Sequence, residues 1–177
     1  MNHTGKLTFS TTSADRQSAP GPARDTRMKK LMPLNETING LQVYGNEDGQ
    51  RFTVRTVAYR DVKCFANDVA HVEIKEVADD TPYRVIGRID LNDSAAYISD
   101  ISNNASPLPH FYEAPERKGL GFFSIILREV QKLAREVGKK AIEIVPENKA
   151  LESYYSGFGF EKDTTSITGK LRLELES

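Results

Sequence analysis

Between residues 51 and 102 the chain alternates apolar and polar positions in short runs, the period of strands half-buried in an antiparallel sheet. Residues 51–59 (Arg-Phe-Thr-Val-Arg-Thr-Val-Ala-Tyr) are dominated by β-branched and aromatic side chains and follow a turn supplied by Gly45 to Gly49. Residues 69–77 place Ala70, Val72 and Ile74 on one face and His71, Glu73 and Lys75 on the other, so His71 points to the polar side. Asp79-Asp80-Thr81-Pro82 turns, residues 83–91 form a further strand, Asn92-Asp93-Ser94 turns again, and residues 95–102 form the next strand. This half predicts an antiparallel meander.

Beyond residue 120 the period changes. Phe123, Ile126, Val130, Leu133, Ala134 and Val137 recur at three- and four-residue steps with charged residues between them, which predicts an amphipathic helix stopped at Gly138. The apolar run 141–145 then predicts a strand, and the tight strand-helix-strand order predicts a right-handed crossover between parallel neighbours. A second helix is expected from about Asn148 to Ser156, and a closing pair of strands across residues 167–175 with a bend at Thr168-Gly169. The expected fold is α/β (α+β): a mixed central sheet, meander first, then a β-α-β-α-β-β half.

Composition changes the picture at the front of the chain. Residues 1–33 are rich in Ser, Thr, Ala and Pro without helical or strand period, and predict a disordered leader ahead of a domain spanning 34–177. Residues 1–34 hold six Lys and Arg against two Asp and Glu, while the remainder has an acidic excess of five. Such a leader is compatible with export through an uncleaved N-terminal signal; the ordinary expectation is a cytoplasmic protein. A net charge of -1 in 177 residues provides no broad basic field, so nucleic acid is not an expected partner. The longest apolar runs fall short of a membrane span, so a membrane is not expected either. Cys64, the single cysteine, forms no internal disulfide and has no metal-ligand spacing around it, so no metal is expected and its ordinary reading is a small apolar group.

The informative chemistry lies where the helix begins. In Glu116-Arg117-Lys118-Gly119-Leu120-Gly121-Phe122, a charged, glycine-bearing turn opens into the amphipathic helix. Free N–H groups at a helix start favour an anion, glycine lets a phosphate approach the main chain, and Arg117 and Lys118 add positive charge. Asn148, then Tyr155, then Gly159-Phe160 follow across the second helix. The turn resembles the [Gln/Arg]-x-x-Gly-x-[Gly/Ala] motif of the GNAT superfamily of acyl-coenzyme A N-acyltransferases, and the later residues resemble that family's Asn…Tyr…Gly-Phe signature. The resemblance covers residues 116–160 well, the meander loosely and residues 1–40 not at all. Three departures stand out: Glu116 at the first motif position, a long Pro-containing stretch at 103–115, and no pair of helices between the first strands.

The resemblance implies acetyl-coenzyme A as cosubstrate, bound by Arg117, Lys118, Gly119, Leu120, Gly121, Phe122 and, at the pantetheine arm, Asn148, which is also a good helix N-cap. It implies Tyr155 as the proton donor to the departing thiolate, with adjacent Tyr154 as the alternative if the register slips by one. For the base, Asp100, facing opposite to Ile101, leads over His110, Glu113 and a water chain. A strand splay near residues 100–103 is expected to offer main-chain groups to the pantetheine and the thioester carbonyl. The implied activity is N-acetyl transfer to an amine on a small molecule or a protein. The oligomeric state stays open, a homodimer included. The competing readings are a GNAT-like binding module without catalysis and an exported interaction protein.

Overall fold

The computed structural model describes residues 30–60, 68–78, 83–91, 94–103 and 119–176. Among the described residues, nine strands form one mixed sheet: β1 Met32–Ile38, β2 Leu41–Gly45, β3 Arg51–Arg60, β4 Asp68–Glu76, β5 Arg84–Leu91, β6 Ala95–Asn103, β7 Ala141–Ile144, β8 Glu161–Lys162 and β9 Leu171–Glu174. Their order across the sheet is β1-β2-β3-β4-β5-β6-β7-β9-β8. Two helices accompany it, α1 Phe122–Glu136 and α2 Lys149–Ser156. The α+β class and the meander of β3 to β6 are as the alternation predicts, and β6 pairs parallel with β7 across the α1 connection.

The first hairpin lies outside the predicted strands. Asn39 and Gly40 take φ values of 52° and 77° and link Ile38 to Leu41 as direct partners, the left-handed two-residue turn that suits a right-twisted hairpin. Met32 and Pro33, on the leader side of the expected 33/34 boundary, lie in β1, and Leu31 is buried. Residues 1–29 lie outside the described residues, as does Cys64.

At the other end, the expected strand pair across 167–175 is half right. Its second strand is β9, but its partner is β8 at Glu161–Lys162, and Ile167 stands fully exposed in the loop between them. Asp163 sets that loop by accepting hydrogen bonds from the N–H and hydroxyl of Thr165, at 3.0 and 2.5 Å. Those two bonds hold its carboxyl below the usual carboxylate range.

The core lies between the sheet and the helices. Phe52, Val54, Val72, Ile74, Val85, Ile89, Ile98, Ile142 and Leu171 meet Ile126, Val130 and Ala134 of α1 in one apolar cluster. Glycine decides how closely α1 sits: a Cβ on Gly87 of β5 would stand 3.0 Å from Ile126 Cγ2. On β7, between core residues Ile142 and Ile144, Glu143 faces the other way and is buried against Lys170 (2.8 Å) and Arg172 (2.6 Å).

Candidate functional site

Strands β6 and β7 run side by side only from Ala95/Ala141 to Ile98/Ile144. β7 ends there, while β6 continues to Asn103 along β5. At the same point β6 carries a bulge: Ile89 pairs with Ile98 and Arg88 with Asp100, leaving Ser99 as the extra residue. Beyond Ile98 β6 thus has no β7 neighbour, and residues 99–103 line a cleft of about 990 Å³ together with residues of α1 and α2.

One end of the cleft is the turn into α1. Gly119 and Gly121 both have φ of 81°, a conformation costly for any residue with a Cβ. A Cβ at Gly119 would meet nothing within 4 Å, and one at Gly121 would project between Lys30 and Ser124. The glycines thus leave main chain open to a ligand. The first turn of α1 has no capping side chain and no acidic residue. The N–H groups of Phe122, Phe123 and Ser124 precede the first intrahelical bond, which Ile125 donates to Gly121 at 3.3 Å. Donors with no intrahelical acceptor, a dipole end and open glycine backbone together suit a phosphate.

The other predicted residues of this turn divide. Leu120 is 1% exposed, so its side chain belongs to the core, and its carbonyl accepts a 3.0 Å bond from the Leu31 N–H. Phe122 points its ring at Phe52 and Tyr83, with centroids 5.2 and 5.7 Å away, and offers the cleft its backbone. Arg117, Lys118 and Glu116, together with His110 and Glu113, lie outside the described residues.

The far end is aromatic. Tyr155 is 8% exposed, packed 4.8 Å from the Phe123 ring and 6.3 Å from Phe160, yet it borders the cleft. Burial pushes its phenol above the ordinary tyrosine value, and the neighbouring Tyr154 and Glu147 push it further. It stays protonated at neutral pH, as a donor must. Tyr154, the alternative, is 46% exposed. Asn148 caps α2: its side-chain oxygen accepts from the Leu151 N–H at 2.9 Å.

Asp100 is exposed on the cleft wall, opposite Arg88 in register and on the face away from Ile101. Among the lining residues that sequence reasoning missed are Glu147, Ser124 and Lys30. Glu147 is the carboxylate whose charge reaches Tyr155, Ser124 faces Gly121 in the first turn, and Lys30 arrives from a segment no motif covers. Glu147 stands one residue before the signature asparagine, the one sequence signal available for any of them.

No protein-family model matches the sequence, and neither curated proteins nor solved structures yield a significant match. Among the described residues no three His, Cys, Asp or Glu side chains could share a metal ion, and no helix is long and apolar enough to cross a membrane.

Proposed function

We propose that the chain is a GNAT-type N-acyltransferase that transfers acetyl from acetyl-coenzyme A to an amine in a ternary complex. The observation that supports it best is one cleft with an anion-receptive helix start at one end and a buried, protonated tyrosine at the other, between strands that part at a bulge. The residues present fit the coenzyme: open glycine main chain for the diphosphate, a β6 edge that β7 leaves uncovered beyond Ile98 for the pantetheine arm, and the signature Tyr155. When bound, the coenzyme supplies the activated acyl thioester.

The chain's own groups then have defined work. The N–H groups of Phe122, Phe123 and Ser124 hold the diphosphate, with Arg117 and Lys118 as neighbouring cations. Backbone of residues 99–103 positions the pantetheine and faces the thioester carbonyl. An acceptor amine reacts as the free base, so the proton lost as the C–N bond forms needs a carboxylate. Asp100 and Glu147 both border the cleft, and Glu147 is the nearer to Tyr155 in electrostatic terms. Tyr155 donates a hydrogen bond to the sulfur as the C–S bond breaks. Its raised phenol is a weaker acid than an ordinary thiol, so full proton transfer is uphill and the hydrogen bond is the main contribution.

Calorimetric titration of the folded chain with coenzyme A comes first; absence of binding removes the transferase reading and leaves the GNAT-like binding module. With binding established, thiol release is measured over a panel of small amines and peptides. Tyr155→Phe should slow release about a hundredfold, the low end for a general acid, with coenzyme affinity unchanged. Glu147→Gln and Asp100→Asn compared in the same assay identify the base, and equal turnover in both variants points to water.

A further inference from the structure

The segment ahead of β1 is tied to the phosphate-facing turn rather than to the sheet alone. Leu31 buries its side chain and donates its N–H to the Leu120 carbonyl at 3.0 Å, fixing residue 30 beside the Gly119-Leu120-Gly121 turn. From there the Lys30 side chain runs along the turn. Its Cγ lies 3.8 Å from the place a Cβ on Gly121 would occupy, and the residue lines the cleft with Gly119, Gly121 and Ser124. Lys30 is exposed and pairs with no carboxylate among the described residues. Beyond Cγ the remaining arm reaches roughly 4 Å, enough to bring the ammonium in front of the α1 first turn.

The turn lacks a side-chain contact to phosphate where the resembled motif has Gln or Arg, because Glu116 occupies that first position. We infer that Lys30 is a phosphate-binding residue of this cleft, delivered from the N-terminal segment to supply a phosphate contact that Glu116 cannot. The inference rests on the coenzyme reading above and deepens it. An ammonium facing helix donors with no intrahelical acceptor and open glycine backbone matches a diphosphate: a point charge on its oxygens, with N–H groups taking the rest. A lysine stem merely lying on the turn with its head in water is the competing explanation, and charge and packing can be separated.

The test is coenzyme A titration of the full chain carrying Lys30→Gln or Lys30→Arg. Gln keeps most of the stem and removes the charge; Arg keeps the charge. Lys30→Gln should raise Kd roughly tenfold and flatten the dependence of affinity on salt, while Lys30→Arg stays within about threefold of the parent. Inorganic pyrophosphate should compete less well with coenzyme A on Lys30→Gln than on the parent. Unchanged affinity in Lys30→Gln overturns the inference and leaves the coenzyme reading standing. Equal losses in both variants overturn it in favour of packing. A parent chain that binds no coenzyme A overturns both.

Discussion

Tyr155 carries two demands that pull against each other. Its ring helps to close the apolar cluster with Phe123 and Phe160, and its hydroxyl must face the cleft. The raised phenol value records the compromise, since burial is its largest cause. The consequence for stability has a definite sign. Below about pH 10 the phenol is neutral in both folded and unfolded chains and contributes no pH dependence. As pH rises beyond that, the unfolded chain loses its proton first, so the folded state binds more protons and stability falls until the folded value is passed. Tyr155→Phe should therefore lose less stability than the parent as pH rises above about 10, measured by urea unfolding. A parallel decline in the two proteins would place the hydroxyl in water. Tyr155 was legible in sequence as part of a spaced signature, but its pairing with Glu147 was not, because Glu147 reaches it through the fold of the segment joining β7 to α2.

At the scale of elements, α2 depends on its cap and on one buried ring. The helix spans only eight residues, too short to persist on its own, so its first turn depends on the Asn148 cap and its last on packing of Tyr155. Asn148→Ala should cost about 1 kcal/mol of unfolding free energy, and Asn148→Asp, which also caps, should recover most of it. If coenzyme affinity drops in Asn148→Asp while stability is retained, the side chain contacts ligand as well; if affinity follows stability in both variants, it is a cap alone.

The elements differ in how openly the sequence announces them. α1 was legible nearly to the residue because a 15-residue apolar stripe has one period and a glycine stop. β8 was hidden, being two exposed residues with no pattern to read. The β1–β2 hairpin was hidden for another reason: β1 is almost wholly exposed and does not alternate, and its one clear sign is the Asn39-Gly40 pair. The cleft depends on where β7 stops beside β6 and on the bulge at Ser99, and pairing register is not written in either strand alone.

Across the whole molecule, the meander and the C-terminal strands meet along a parallel ladder of four residue pairs. β7 is short, and all four of its residues are buried. Glu143 within it is 6% exposed and holds both Lys170 and Arg172, so the charge cluster fastens β7 to β9 and to the loop before it. Removing the carboxylate leaves two facing cations only partly open to solvent. Glu143→Ala should lower unfolding free energy by about 2–3 kcal/mol, somewhat under the range for fully buried pairs because the cations are 27% and 29% exposed. Chemical denaturation checks this, and a loss under 1 kcal/mol would mean that water replaces the carboxylate. A destabilised β7 also frees the edge from which the cleft opens, so the same variant should bind coenzyme more weakly.

Three of the chain's seven tyrosines, Tyr83, Tyr154 and Tyr155, border the cleft, and the sequence has no tryptophan. Near-ultraviolet circular dichroism and intrinsic emission therefore include a contribution from rings that surround the proposed ligand. Occupancy of the cleft is accessible as an optical signal from the unlabelled protein, with no indole background to mask it.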